Sequence, residues 1–221
     1  MDPAEVPPAL LECLDALSRL EREAPPASRA ALAARLGIDE TRAAERLGEL
    51  ETRGLVRSER DGLLRLTSTG ERIALRLLRR HRLLERFLAD RLALPWDRVH
   101  QEASRLTPVL ADDVADGLAK LLGGPASCPH GNPIPAADGT LVAERGTPLD
   151  RVPSGRAGII LRVEREEPEL LRYLSALGLL PRTKVEVEEV APFGGPLLVR
   201  LGSARYALGR DVASHILVRE I

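Results

Sequence analysis

The 221-residue sequence has few cysteines, no long apolar run and no signal-peptide pattern at its start. Its two cysteines, Cys13 and Cys128, are too few for a disulfide framework. No uncharged apolar run approaches the ~18 residues that a membrane span needs. The first residues, Met-Asp-Pro-Ala-Glu-Val, lack the basic start and apolar stretch of a signal peptide. We therefore expect a cytoplasmic protein with no membrane segment.

The sequence also lacks a strong charge of either sign. The formal net charge is -1, so no overall basic field indicates a nucleic-acid partner. Hydrophobic residues make up 44% and charged residues 29%, which excludes wholesale disorder in a chain long enough to bury a core. The function has to be sought in local motifs.

The first 70 residues carry a specific order of predicted elements. Three helices are predicted, and capping residues mark two of them: Ser28 precedes the second, Gly37 ends it, and Asp39 precedes the third. Two short apolar strands follow, joined across Asp61 and Gly62. Helix, turn, helix and hairpin in this order predict a winged helix-turn-helix.

In such a module the second helix of the pair enters the major groove of DNA. The candidate base-reading residues are Thr41, Arg42 and Arg46, with Arg29 and Arg60 as contacts to the phosphate backbone. The alternative is that these arginines are ordinary solvated residues of a protein-interaction module. Residues 1–70 hold 10 arginines against 13 acidic residues, so DNA binding is expected to be sensitive to salt.

A stripe of apolar residues farther along the chain predicts one long helix. Its members recur every three or four positions: Val99, Ala103, Leu106, Leu110, Val114, Leu118 and Leu121. Such a stripe suits a helix that packs against a second copy of the chain, which would double the contacts on a palindromic DNA site. Burial inside the monomer would produce the same pattern, and the sequence leaves both open.

A group of metal-ligating residue types lies in the middle of the chain. His81 and Glu85 are four residues apart on one predicted helix face, where they could share a cation or form an ion pair. Cys128 and His130 project to the same side of a proline-stiffened segment, and both are good ligands for divalent transition metals. The remaining ligands of a mixed sulfur, nitrogen and oxygen shell could come from His100, Glu166, Glu167 and Glu169.

These residues resemble the diphtheria-toxin-repressor family of iron- and manganese-dependent transcriptional repressors. The most specific match is the run Cys-Pro-His-Gly-Asn-Pro-Ile-Pro at 128–135, and the similarity covers nearly the whole chain. The resemblance implies a mainly α architecture that ends in a small SH3-like β-barrel. We predict a winged-helix DNA-binding domain at 1–70, a helical dimerisation and metal-binding domain at 71–124, a Pro/Gly-rich linker carrying Cys-x-His at 125–154, and an SH3-like, FeoA-type domain at 155–221.

The resemblance also implies a ligand set. Its helical members would be His81, Glu85 and His100, joined by an acidic residue of the SH3-like domain, best matched by Glu167 with Glu169 as the alternative. Cys128 and His130 match ligands that some manganese-responsive members use. The family's other site is altered: the corresponding positions are Glu12, Ser104, Thr107 and Pro108, and proline has no side-chain donor.

The resemblance therefore predicts a homodimeric, metal-responsive repressor of operator DNA. The expected metal is Mn(II) or Fe(II), with Zn(II) or Co(II) able to bind in vitro. A second interpretation keeps the DNA-binding regulator but makes the metal purely structural. A third, an enzyme with Cys128 as nucleophile and His130 as base, lacks a third orienting group. We therefore expect no catalytic activity.

Overall fold

The computed structural model describes residues 6–23, 27–59, 62–142 and 144–221. These residues form two compact units. The first unit comprises Met1–His81, Ser104–Leu118 and Pro135–Thr140, and the second comprises Arg82–Ala103, Ala119–Ile134 and Leu141–Ile221. None of the described helices is both long and apolar enough to cross a membrane. The bounds of the four predicted domains stay a prediction.

The first unit begins with the predicted winged-helix order. Its elements are α1 (Pro8–Glu23), α2 (Arg29–Leu36), α3 (Glu40–Thr52), β1 (Val56–Ser58) and β2 (Leu64–Leu66). The capping residues act as predicted, because the side chains of Ser28 and Asp39 accept hydrogen bonds from the amides of Ala31 and Arg42. Gly37 ends α2 with a φ of 63°, a left-handed conformation that suits glycine.

Leucines from all three helices form the core of this unit. Leu14 and Leu17 of α1, Leu32 of α2 and Leu50 of α3 are each fully buried. They lie at the spacings that place them on one face of each helix. The winged-helix architecture predicted from this pattern is confirmed.

The helices that follow are α4 (Ser68–Leu92), α5 (Val99–Leu106) and α6 (Asp112–Leu121). The prediction of one continuous helix from Val99 to Leu121 is wrong, because a short 3-10 turn at Thr107–Val109 separates α5 from α6. The cause is Pro108, which has no amide hydrogen for the helical ladder and crowds the preceding turn.

The second unit contains a six-stranded antiparallel sheet. Its strands are β3 (Thr147–Pro148), β4 (Arg156–Val163), β5 (Lys184–Val190), β6 (Leu197–Leu201), β7 (Ala204–Leu208) and β8 (Ile216–Glu220), in the order β3-β8-β4-β5-β6-β7. Two helices join it, α7 (Pro168–Leu177) and α8 (Arg210–Ser214). Side chains of β4, β5 and α7, among them Ile160, Val187 and Leu174, form a dry core. This agrees with the predicted small β domain.

Candidate metal centre

Five metal-ligating side chains converge in the second unit, and we call them the five-residue cluster. They are Glu85 of α4, His100 of α5, Cys128 and His130 of the linker, and Glu166, which lies between β4 and α7. Ligand atoms of all its members except His100 lie within 4.8 Å of one another. Donors that are far apart in sequence are thus gathered in one place.

His100 contacts both carboxylates of the cluster. Its Nδ1 lies 2.9 Å from Oε1 of Glu85 and 2.5 Å from Oε2 of Glu166. The Glu85 side chain has no exposed surface and that of Glu166 is 13% exposed. Buried carboxylates at this depth need a proton or a cation to offset their charge.

The linker loop that carries Cys128 and His130 is fixed by its backbone. The amide of Cys128 donates to the carbonyl of Asn132 at 2.8 Å, and the amide of Val163 in β4 donates to the carbonyl of His130 at 3.0 Å. Between them Gly131 has a φ of 87°, and a Cβ at this position would lie 2.0 Å from the carbonyl oxygen of Leu161. Only glycine allows so close an approach of the loop to β4.

Trp96 orients the imidazole of His130. Nε2 of His130 lies 2.9 Å from the carbonyl oxygen of Trp96, and the two rings are in contact with centroids 5.0 Å apart. A ring that donates its Nε2 proton to this carbonyl keeps the lone pair on Nδ1. That Nδ1 lies 3.6 Å from oxygens of both Glu85 and Glu166, so the nitrogen able to bind a metal is directed at the carboxylates.

Glu166, rather than Glu167 or Glu169, supplies the acidic residue from this part of the chain. Asn132 holds it, because its Nδ2 donates to Oε1 of Glu166 at 2.7 Å and to the carbonyl of Val163 at 3.2 Å. Among the described residues, the groups of gathered metal-ligating atoms contain neither Glu167 nor Glu169, whose role as ligands stays a prediction. Glu167 pairs with Arg165 at 3.0 Å, and the 82% exposed side chain of Glu169 pairs with Arg172 at 3.2 Å.

His81 is the last residue of the first unit and lies one turn before Glu85 on α4. It is 2% exposed, and its Nδ1 lies 3.2 Å from Oγ1 of Thr107. If this hydroxyl occupies Nδ1, the ring presents Nε2 as its ligand atom. The helical spacing places His81 on the same face of α4 as Glu85, and its role as a ligand stays a prediction.

The charges of the five-residue cluster are balanced by protons when no metal is bound. Burial opposes a charge on His100, but the carboxylates of Glu166 and Glu85 outweigh it and raise the pKa to about 9. The pKa of His130 is also raised well above its ordinary value, against burial, by its contacts with Cys128 and Glu85. Burial and the negative charge of Glu85 favour the neutral form of Glu166, yet the two imidazoles lower its pKa to about 2. Two imidazolium ions therefore offset two carboxylates.

The donors of the cluster suit a divalent transition metal. They offer sulfur, imidazole nitrogen and carboxylate oxygen, a mixture that binds Fe(II), Co(II), Zn(II) or Mn(II). Burial, followed by the charge of Glu85, raises the pKa of the Cys128 thiol to about 11. A bound cation would replace the imidazolium protons and favour the thiolate, so metal binding is coupled to proton release.

The positions of the family's other site contain few ligands. Glu12 has a 52% exposed side chain and lies 3.9 Å from the guanidinium of Arg46. Thr107 contacts His81, and Pro108 lies in the 3-10 turn after α5. Serine and threonine hydroxyls are weak metal ligands compared with carboxylates and imidazoles. This part of the first unit retains one carboxylate of the kind a metal site needs.

The predicted DNA-contacting residues differ in exposure: some are exposed, one faces a neighbouring helix, and one lies outside the described residues. Thr41 and Arg42 are exposed on the first turn of α3, and Arg29 is exposed at the start of α2, 3.3 Å from Glu40. Arg46 is directed toward α1, where its 22% exposed side chain approaches Glu12 and Cys13. Its role as a base reader stays a prediction. Arg60 lies outside the described residues.

Apolar side chains are exposed where the dimerisation stripe was predicted. Val109, Val114 and Leu121 are 72%, 49% and 56% exposed. Val99 and Ala103, at the start of the stripe, are fully buried. The stripe therefore divides into a part that packs inside the chain and a part left at the surface.

Two protein-family models match the chain. Residues 67–136 match the iron dependent repressor, metal binding and dimerisation domain, and residues 147–220 match the FeoA domain. Both matches include residues of the five-residue cluster, since the first spans Glu85 to His130 and the second spans Glu166.

Several characterised proteins are similar over most of the chain. The iron-dependent repressor IdeR of Mycobacterium tuberculosis is 32% identical over 219 residues, which cover 91% of this chain and 93% of that protein. The diphtheria toxin repressor of Corynebacterium diphtheriae is 37% identical over 125 residues, covering 57% of this chain and 55% of that protein.

Solved structures share the fold. A manganese-dependent transcriptional repressor in complex with manganese superposes with a TM-score of 0.88 at 32% identity, covering 96% of this chain and 100% of that one. ScaR with bound Cd2+ superposes with a TM-score of 0.80 at 25% identity, covering 96% of this chain and 99% of that one. Both names describe proteins that were solved with a divalent metal ion.

Proposed function

The chain belongs to the diphtheria-toxin-repressor family of iron- and manganese-dependent transcriptional repressors, and from this membership we propose that it is a metal-dependent repressor that binds operator DNA as a homodimer. The five-residue cluster is the proposed sensor, with His81 as a further ligand. The proposed metal is Mn(II) or Fe(II). Such a regulator works in the cytoplasm, and it is not an enzyme.

The observation that carries this proposal is the origin of the donors. Glu85, His100, Cys128 and Glu166 come from α4, α5, the linker loop and the segment before α7. An ion bound by all of them would fix these segments relative to one another before DNA binds. Less free energy would then be spent on ordering the segments during DNA binding. Metal would thus increase operator affinity by preorganisation, and operator DNA would in turn tighten metal binding by the same factor.

DNA binding is assigned to the winged helix of the first unit. Thr41 and Arg42 on the exposed first turn of α3 are the proposed base contacts, with Arg29 as a phosphate contact. Glu45 and Glu49 are also exposed on α3 and would repel phosphate, so the affinity of one winged helix for DNA is expected to be modest. Two winged helices bound to one palindromic site would together have a higher affinity for DNA than one alone.

The homodimer is proposed to form through the exposed apolar residues near α6. Val109, Val114 and Leu121 lie within residues 67–136, the part of the chain that matches a dimerisation domain. Apolar side chains exposed together in this way are typical of surfaces that bind another protein. A two-fold dimer would present its two winged helices to successive half-sites.

The catalytic interpretation of Cys128 and His130 has less support. The Cys128 thiol is buried and its pKa is raised to about 11, which keeps it protonated in the metal-free protein. A nucleophilic cysteine instead needs a lowered pKa and access to substrate. Sγ also lies 4.0 Å from Nδ1 of His130, the nitrogen that faces the carboxylates.

The test is a fluorescence-anisotropy titration of DNA selected from a random library in the presence of Mn(II). We expect tight binding with Mn(II) or Fe(II) and its loss with a chelator. Cys128→Ala should weaken the metal response, whereas Cys13→Ala, which removes the other buried thiol, should not. A chelator that lowers the melting temperature without changing DNA affinity would instead identify a structural metal.

A further inference from the structure

The exposed face of α3 is the part of the first unit that is proposed to enter the major groove. Thr41, Glu45 and Gly48 share this face, because they are separated by four and three residues and all three are exposed. Ala43 and Leu47 lie on the opposite face and are buried in the unit. In a helix-turn-helix the N-terminal residues of the reading helix contact base edges. The first turns of this face therefore lie where bases are read.

The glutamates of α3 differ in whether they have a partner within the chain. Glu40 lies 3.3 Å from the guanidinium of Arg29. Glu45 and Glu49 are exposed, and none of the residues that the structure describes pairs with their carboxylates. Phosphates repel a carboxylate on a helix that enters the groove, and a hydrogen bond accepted from a base can offset this repulsion. Glu45 is closer than Glu49 to the N-terminus of α3, where such bonds form.

The major groove offers a carboxylate few donors. Guanine presents two acceptors there, thymine presents an acceptor and a methyl group, and adenine presents a donor beside an acceptor. Cytosine presents its N4 amino group, which is the usual partner of glutamate and aspartate. The carboxylate of Glu45 is therefore expected to favour cytosine, because the acceptor atoms of the other three bases would repel it.

Gly48 indicates that α3 comes close to its ligand. It lies within the helix, its φ is not positive, and a Cβ at this position would meet no atom of the described residues within 4 Å. The packing of the chain itself thus does not require glycine, which destabilises a helix interior relative to alanine. A position without a side chain lets the backbone approach a ligand closely. Close approach at Gly48 would bring Glu45, three residues earlier, against the base edges.

We propose that Glu45 determines the operator sequence by accepting a hydrogen bond from N4 of a cytosine in each half-site, with Gly48 as the point where α3 approaches DNA most closely. This inference rests on the proposed DNA-binding function and adds the base that the reading helix selects. Thr41, on the same face, has a hydroxyl that can both donate and accept, so it discriminates less between bases.

The test compares the DNA sequences that the full-length protein and its variants select from a random library with Mn(II). The unaltered protein should select cytosine at one position of each half-site. Replacing this cytosine should weaken binding ~5–150-fold, the range for one mismatched base pair. Glu45→Gln should change the selected base to adenine, because glutamine pairs with N6 and N7 of adenine. Selection of the same base by Glu45→Gln and by the unaltered protein would overturn the proposal.

Glu49→Gln is the matched control, because it removes the same charge from an exposed position of the same helix. Both variants lose a carboxylate that repels phosphate, so both should bind DNA of unrelated sequence more tightly. Only Glu45→Gln should change the selected base. A changed base in Glu49→Gln alone would assign the reading to Glu49 and overturn the role of Glu45.

Gly48→Ala tests the close approach of α3 to DNA. Alanine should raise the melting temperature of the free protein, because it favours a helix and its methyl group has space. The same methyl group should weaken binding to the selected operator without changing the selected base. The two measurements separate a lost contact with DNA from a loss of folding. An operator affinity that stays the same or increases would overturn the close approach.

The outcomes for base selection separate this inference from the function on which it rests. A selected sequence that depends on Mn(II) but has no cytosine in its half-sites would overturn the reading by Glu45 and leave metal-dependent DNA binding intact. Failure of the unaltered protein to select any sequence with Mn(II) would overturn the proposed function as well.

Discussion

The resemblance to the family implies metal-ligand positions in two regions of this chain, and the structure of the two regions differs. In the five-residue cluster, Glu85 and His130 are fully buried and contact other ligating groups. At the other region Glu12 is half exposed and faces Arg46, while Ser104 and Pro108 stand where the resemblance implies ligands. Burial and convergence of donors therefore mark one region only.

The difference shows which surroundings of a carboxylate favour the binding of a metal. A carboxylate that pairs with an arginine already has a counter-charge and gains less from a cation. Two carboxylates buried beside imidazoles instead stabilise protons on those imidazoles, and a metal can replace these protons. The response of this chain to metal is accordingly assigned to the cluster, and each prediction below tests that assignment.

The largest effect is expected from a change of Glu85, whose carboxylate contacts two imidazoles of the cluster. Glu85→Gln removes a charge that contacts both His100 and His130, so Mn(II) affinity should fall by more than the ~10–100-fold typical of outer-shell changes. Glu12→Gln is the matched change in the other region and should alter affinity less than about twofold. Isothermal titration calorimetry of both variants measures the difference. Equal losses would show that the region of Glu12 still binds metal.

The next effect concerns a residue that positions a ligand. Asn132→Ala removes the hydrogen bonds to Glu166 and to the carbonyl of Val163, leaving Oε1 of Glu166 without this donor. Mn(II) affinity should fall ~10–100-fold, as for other residues that orient metal ligands. Glu167→Gln, one residue from Glu166 but paired with Arg165, should leave the affinity unchanged. A larger loss in Glu167→Gln than in Asn132→Ala would restore Glu167 as the ligand.

The helical and linker ligands could be predicted because each depends on local geometry. Four residues separate His81 from Glu85 on one helix face, and two separate Cys128 from His130 in an extended segment. The choice between Glu166 and Glu167 could not be made in this way. Neighbouring residues before a helix point in different directions, and here a hydrogen bond from Asn132 determines which one faces the cluster.

Those parts of the fold that depend on local sequence could also be predicted, and those that depend on distant contacts could not. Caps at Ser28 and Asp39 and the leucine spacing indicate the winged helix directly. The direction of Arg46 depends on α1, a contact distant in sequence that periodicity does not reveal. Pro108, in contrast, is a signal that the sequence contained: it breaks the helix that the apolar stripe appeared to continue.

A smaller effect is expected where the linker loop approaches β4. Gly131→Ala places a methyl group against the Leu161 carbonyl and should lower the free energy of unfolding by ~1–3 kcal/mol more than a control without the clash. Gly139→Ala is that control, because Gly139 has the same φ of 87° and its Cβ would meet nothing closer than 4.0 Å. Urea denaturation of both metal-free variants measures the difference. Equal losses would mean that the loop moves away from β4 without cost.

The smallest effect is a pH dependence confined to the cluster. His100 has a pKa of about 9 in the folded metal-free protein, above the ~6.5 of an unfolded chain. The stability from its protonation is therefore complete below about pH 6.5 and is lost as the pH rises through about 9. We expect the melting temperature of the metal-free protein to fall over this range.

Saturating Mn(II) should flatten this dependence, because the ion replaces the protons of the imidazoles. His100→Gln should flatten it in the metal-free protein, whereas His215→Gln, outside the cluster near Asp211, should leave it in place. Differential scanning calorimetry between pH 6 and pH 9.5 provides the measurement. A slope of unchanged size in His100→Gln would show that the protonation of His100 does not cause the pH dependence.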